Sequence, residues 1–214
     1  MKRAHSLLSC LGFLTALAAP FAGQAAGVAA SVTDDAGEAM KDAVVFATPL
    51  DGKPSGAAKS AVIDQVRKEY VPHVTAVQVG AQVTFPNRDQ IRHSVYSFSD
   101  PKTFELPLYK GVPAAPVVFD KPGVVVLGCN IHDWMKAYVY VTEAPYFGVT
   151  DESGKANLED VPPGEYRVDV WHPRLKEEAA STAQRISVGS EGGSVSFEIK
   201  QKRAPRPRRG GDDY

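Results

Sequence analysis

The chain has 214 residues, of which 24 are basic and 25 acidic, and the charges are unevenly spread. Lys200, Lys202, Arg203, Arg206, Arg208 and Arg209 crowd the C-terminus beside Asp212 and Asp213; without them and without Lys2 and Arg3, 16 basic residues face 23 acidic ones, a body charge of −7 that draws cationic partners. Two cysteines, Cys10 and Cys129, are too few for a disulfide framework, and the length suits one large domain or two small ones.

Residues 1–26 read as an export signal. Lys2 and Arg3 supply the positive start, Leu7 to Phe21 is mostly apolar, and small residues follow up to Ala25 and Ala26, where cleavage fits. Gly12 and Pro20 interrupt the apolar run, which falls short of the roughly 20 residues a membrane span needs. The expected location is the periplasm, with no transmembrane segment after processing and no nucleic-acid partner. Processing removes Cys10 and leaves Cys129 alone, a thiol that needs protection in an oxidising compartment.

Beyond residue 26 the pattern is all-β. Short Val-rich runs recur between Gly, Pro, Asn and Asp, and helical periodicity is scarce. In chain order, strands are predicted at Val28–Val32, Ala43–Ala47, His73–Val77, Gln82–Phe85, Ser94–Phe98, Val117–Phe119, Val124–Leu127, Ala137–Val141, Tyr166–Trp171, Gln184–Val188 and Ser194–Ile199. Ser60–Tyr70 fits either a short helix, with Ile63, Val66 and Tyr70 on its apolar face, or a strand. Residues 201–214, rich in Pro, Gly and Arg without an apolar face, read as a disordered basic tail.

The chemistry concentrates in Cys129-Asn130-Ile131-His132-Asp133-Trp134-Met135, with Asn87-Arg88-Asp89-Gln90-Ile91-Arg92-His93 upstream. One thiolate, two imidazoles and one thioether make the ligand set of a blue-copper site, and Cys-x-x-His-x-x-Met lets one short loop bring three of them. The run Gly123–Gly128 delivers Cys129, Lys136–Val141 leads away, and Ser94–Phe98 anchors His93. The plain alternatives are a packed core cysteine, loop histidines and a space-filling methionine. His73 reads as a strand histidine and His172 belongs to the other module; Trp134 packs over the loop, and Asp64, Asp89 and Asp133 read as turn or surface groups.

Phe85-Pro86-Asn87 with His93, followed by Gly128 to Met135, resembles the cupredoxins; the short Cys-to-Met loop is most similar to amicyanin. The stretch from Ile63 through Tyr70-Val71-Pro72-His73 to Phe147 resembles periplasmic plastocyanin-like proteins labelled methylamine-utilisation proteins. The resemblance implies a Greek-key sandwich over residues 60–145 holding one copper that cycles between Cu(I) and Cu(II). His93, Cys129 and His132 would be its equatorial ligands, Met135 the weak axial one, and Asn87 a hydrogen-bonding support of the ligand loop. Unlike amicyanin and plastocyanin, the chain has no proline beside its loop histidine: Ile131 and Asp133 flank His132, which implies a lower potential and a less apolar docking face. The turns at Val32–Gly37, Thr150–Gly154 and Val161–Val168 resemble a carboxypeptidase-regulatory-like, transthyretin-like sandwich split between residues 27–55 and 146–200. Either the copper module is inserted into that sandwich or two domains stand in series.

The function expected is a one-electron carrier, not an enzyme, with a redox protein as partner; by the resemblance a c-type cytochrome fits. Copper storage, delivery or sensing uses the same ligands, and an interaction module stiffened by its metal is the third reading. No His-x-His pair for a trinuclear oxygen-reducing centre, no Gly-rich phosphate loop and no Ser-His-Asp arrangement stands out, and zinc rarely takes Met.

Overall fold

The computed structural model describes residues 27–52, 58–113 and 115–202. The export signal and most of the basic tail lie outside these residues. Seventeen strands and one short 3-10 turn are present, so the described chain is all-β. Among the described residues no helix is long and apolar enough to cross a membrane.

The strands are β1 (Val28–Asp34), β2 (Val44–Pro49), β3 (Ala61–Val62), β4 (Asp64–Val66), β5 (Glu69–Val71) and β6 (Val74–Gln78). Next come β7 (Ala81–Thr84), β8 (His93–Ser99), β9 (Lys102–Tyr109), β10 (Val117–Phe119), β11 (Gly123–Gly128) and β12 (Lys136–Thr142). The last are β13 (Tyr146–Val149), β14 (Lys155–Leu158), β15 (Gly164–Trp171), β16 (Gln184–Val188) and β17 (Gly193–Ile199), with the 3-10 turn at Ala179–Thr182.

They build two cores. Sheets β14-β1-β17 and β13-β2-β15-β16 face each other over Val28, Val32, Val45, Leu158, Val168, Val170 and Phe197. A five-stranded sheet, β6-β12-β11-β8-β9, and a three-stranded sheet, β10-β7-β3, enclose Ile63, Val83, Phe85, Val95, Phe119, Leu127 and Val139. The alternation of each strand explains the division: in β12, Ala137, Val139 and Val141 are buried while Tyr138 and Tyr140 point the other way. The chain leaves the first core after β2 and re-enters it at β13, and β2 and β13 pair directly, Tyr146 opposite Ala47.

The outward side chains of β12 form the seam between the cores. Tyr140 stacks on Trp171, centroids 5.1 Å apart, and also meets Phe46 at 5.1 Å. Tyr138 meets Trp171 at 5.9 Å and His73 at 5.5 Å. At the rim of the seam His172 is buried, and its Nδ1 accepts the Arg174 N–H at 3.1 Å.

One segment was open in the sequence, and two features differ from the expectation. Of the two forms open to Ser60–Tyr70, the structure has the strand: β3, β4 and β5 occupy it, and Ile63, Gln65 and Tyr70 point inward. Strands β9, β13 and β14 lie where none was predicted. Gln201 is tied down rather than loose, in a bridge opposite Leu175, and the Lys202 N–H donates to the Arg174 carbonyl at 2.7 Å.

Two predictions follow from this packing. Gly154 holds φ +72°, and a Cβ there would lie 2.5 Å from the Val32 carbonyl oxygen. Gly154→Ala is expected to cost about 1–3 kcal/mol in urea denaturation. Burial, and after it the Arg174 cation, pushes His172 down to about 4. The unfolded chain then binds the extra proton between about pH 6.5 and pH 4, so stability falls by up to about 3 kcal/mol as pH drops through that window. His172→Asn is expected to flatten that slope, measured as the urea midpoint against pH.

Candidate metal centre

The site lies where β8, β11 and β12 converge. Gly128 ends β11 paired with both Tyr96 of β8 and Lys136 of β12. A Cβ on Gly128 would lie 2.6 Å from the Tyr96 ring, so glycine lets that ring lie on the backbone beside Cys129. After Gly128 the chain turns tightly, and the Met135 N–H donates to the His132 carbonyl at 3.0 Å. The turn places Cys129 and Met135 in the core and leaves Ile131 and Trp134 exposed.

His93, the first residue of β8, is fully buried. Its Nδ1 lies 3.9 Å from the Cys129 sulfur, and the Nδ1 of His132 lies 3.9 Å from the same sulfur on another side. The two rings are 4.9 Å apart. These three donor atoms, all within 4.8 Å of one another, form a buried His-Cys-His cluster. An ion bonded to sulfur at about 2.3 Å and to nitrogen at about 2.0 Å spans sulfur–nitrogen edges of about 3.5–3.8 Å, close to the two 3.9 Å separations, so the residues fit a single metal ion. Met135 is 1% exposed and lines, with Cys129, Tyr96 and Phe98, a cleft of about 330 Å³.

Protonation suits the same use. Burial, then the neighbouring His93 ring and the Lys68 cation, hold His132 below its usual range despite the opposing pull of Asp89. A neutral imidazole is the form that binds metal. Trp134 is 67% exposed and its ring lies 5.1 Å from that of His132, which is itself buried with 9% of its surface exposed.

A hydrogen-bonded layer holds the donors. The Ser94 hydroxyl accepts the Asn130 N–H at 2.9 Å and lies 3.8 Å from the Cys129 sulfur, tying the loop to β8. The Tyr70 hydroxyl lies 2.9 Å from both the Ser94 and the Gly128 carbonyl oxygens. Burial holds that phenol well above its usual range, so it stays protonated as a donor. The Asn87 side chain donates to the Ile91 carbonyl at 2.9 Å and the Tyr109 carbonyl at 2.8 Å, bracing the segment that leads to His93. Its side-chain hydrogen bonds are with that segment and β9, whereas Ser94 grips the Cys129 loop.

Asp89 is not the free turn or surface group the sequence indicated. Its side chain is 16% exposed, and Oδ2 lies 2.8 Å from Nε2 of His93. It also accepts the Arg67 N–H at 2.7 Å and the Lys68 N–H at 2.8 Å. Burial works to raise its pKa, but the donors on Lys68, His93 and Arg67 prevail and hold the carboxyl below its usual range. The sequence signal for this role is faint: an acid four residues before a histidine is common in turns. Asp64 pairs with Arg88 at 2.8 Å, and Asp133 is exposed. His73 and His172 line the seam and are not in the cluster.

The Tyr70 bridge is testable alone. Tyr70→Phe removes the single hydroxyl proton shared by the Ser94 and Gly128 carbonyls and is expected to cost about 1–2 kcal/mol in urea denaturation of the metal-free protein.

No family model matches the chain, and no curated protein matches it. Solved structures do show likeness over part of it. A copper-containing nitrite reductase (NirK) from Thermus scotoductus SA-01 is 27% identical over 39% of this chain, with a TM-score of 0.37; this chain spans only 22% of that reductase. A purple cupredoxin from Nitrosopumilus maritimus is 24% identical over 39% of this chain and 99% of its own, with a TM-score of 0.34. The reduced Cu(I) form at pH 4 of an amicyanin point mutant is 25% identical over 45% of this chain and 99% of its own, with a TM-score of 0.36.

Proposed function

We propose that this chain is a type 1 copper protein that carries single electrons between redox partners, its copper module of cupredoxin type set in a carboxypeptidase-regulatory-like sandwich. The observation that carries this is the approach of two imidazole nitrogens to 3.9 Å from one buried cysteine sulfur. His93, Cys129 and His132 would hold the ion, with Met135 as a weak fourth ligand. Bound there, copper supplies a one-electron couple between Cu(I) and Cu(II).

The chain's own residues do the rest. His93 and Cys129 sit on strand ends braced by Tyr70 and Ser94, so the donors keep their places whichever charge the site carries. Burial of the thiolate excludes water and oxidants. His132 lies just beneath the exposed side chains of Ile131, Asp133 and Trp134, and those would make the contact with a partner. No bond in a substrate is made or broken in this role. The partner is a redox protein, and a c-type cytochrome fits by resemblance. The setting is the periplasm, a reading supported by the signal-like first 26 residues.

The test is reconstitution with Cu(II) followed by visible and paramagnetic spectroscopy. An intense thiolate-to-copper band with narrow hyperfine splitting is expected, and Cys129→Ser is expected to abolish the colour while the β-structure persists by circular dichroism. Full colour in that variant overturns the ligand assignment. Fast, reversible voltammetry with metal retained is expected of a carrier. Ready release of Cu(I) to a chelator overturns that role in favour of copper delivery.

A further inference from the structure

We propose that the two-stranded ribbon formed by residues 174–176 and 200–202 is a docking surface for anionic phospholipid, which holds the protein against a membrane face by charge. The inference stands apart from the copper site and takes from the proposed function only the exported setting. Leu175 faces Gln201 in an antiparallel bridge. On either side of it the Lys176 N–H donates to the Lys200 carbonyl at 2.9 Å and the Lys202 N–H to the Arg174 carbonyl at 2.7 Å. Side chains alternate across such a pair. Leu175 turns into the first core, and Gln201 donates from Nε2 to Asp34 Oδ2 at 2.8 Å. Arg174, Lys176, Lys200 and Lys202 take the outer face and are all exposed, Arg174 opposite Lys202 and Lys176 opposite Lys200.

Like charges directly opposite one another oppose strand pairing. Two such pairs stand side by side here, and among the described residues none of the four cations is in an ion pair. Asp34 and Asp35 line the same groove, about 750 Å³ in volume, but Asp34 is already engaged. Its Oδ1 accepts the Ala36 and Glu38 N–H groups at 2.9 Å, and its Oδ2 accepts the Gln201 amide. The chain runs on from Lys202 into Arg203, Arg206, Arg208 and Arg209, against Asp212 and Asp213, so the ribbon opens the most basic stretch of a chain that is otherwise acidic on balance.

The chemistry of the patch selects the occupant. Protein interfaces are anchored by aromatic and apolar side chains inside a polar rim. None of the exposed large apolar side chains belongs to this ribbon. An anionic lipid surface needs no such anchor: within a Debye length it attracts each Lys or Arg by about fivefold in partitioning. Nucleic acid offers phosphate too, but an exported chain meets phospholipid instead.

The experiment uses the metal-free chain from residue 27 on, so that the apolar start cannot itself insert and the outcome leaves the copper reading untouched. Co-sedimentation is measured with vesicles of phosphatidylcholine alone and of phosphatidylcholine with about one third phosphatidylglycerol, at low salt and at ~0.5 M salt. Binding is expected only to the anionic vesicles and only at low salt. Arg174→Gln/Lys176→Gln and Lys200→Gln/Lys202→Gln are each expected to weaken it about 25-fold. Lys59→Gln/Lys121→Gln removes the same charge from two exposed positions of the copper module and is expected to leave binding unchanged. The urea midpoints of the ribbon variants are expected to be no lower than that of wild type, because a repulsive pair is relieved. Failure to bind anionic vesicles overturns the proposal, as does an equal loss in the Lys59/Lys121 variant, which makes net charge the cause. Ribbon variants that bind as tightly as wild type overturn it in favour of the residues after Lys202, and a fall in their midpoint without a fall in binding assigns the four cations to the fold. Displacement by inorganic phosphate at matched ionic strength overturns the membrane in favour of a free phosphate group. Retention on immobilised polyglutamate without vesicle binding overturns it in favour of an acidic protein.

Discussion

Three strands meet at Gly128, and the site depends on that meeting. Backbone pairing to Tyr96 on one side and Lys136 on the other fixes the point from which Cys129 departs. The Tyr70 hydroxyl adds a crosslink between the carbonyls next to Cys129 and next to His93. The sulfur and the buried imidazole are therefore positioned by sheet register, which is specified wherever one face of a sheet is buried. Only His132 and Met135 rely on the loop, and they sit in a turn closed by its own backbone hydrogen bond.

The second sandwich packs against the same sheet from outside. Each strand of the five-stranded sheet has two faces, and β12 spends one on each core: small aliphatic groups inward, two tyrosines outward to Trp171 and Phe46. Aromatic seams of this kind combine a large apolar area with defined ring geometry. The strand that leaves the Cys129–Met135 loop is thus packed on both faces.

Much of this was legible in the chain because the signals were local. The Val-rich run before Cys129 and the alternation after Met135 give β11 and β12, and the Cys-x-x-His-x-x-Met spacing gathers two of the three clustered donors. His93 was legible through its resemblance context rather than its spacing. Edge elements were harder. Strand β9 carries Lys102, Glu105 and Pro107, which read as loop, yet an edge strand tolerates all three because one row of its backbone groups needs no partner. Strand β14 is short and polar in Lys155 and Asn157, and it too is an edge. Ser60–Tyr70 stays open between helix and strand in the sequence because Ile63, Val66 and Tyr70 fit a helical face, and tertiary pairing with β7 and within the β4–β5 hairpin decides its form. Ser94 was invisible as a support, since the Cys129 loop becomes its neighbour only once the sheets have formed, and Asp89 gave only its spacing of four from His93.

The pairing of β2 with β13 has an architectural consequence. The outgoing and returning chains lie side by side, with Tyr146 opposite Ala47, about one strand spacing of 4.8 Å apart. A short turn bridging that gap would convert the pair into an ordinary hairpin and leave the outer sandwich topologically whole. The intervening segment is thus a cassette whose two leads emerge from a single socket, and its loss would leave the holder's strand connections whole while uncovering Phe46 and Trp171.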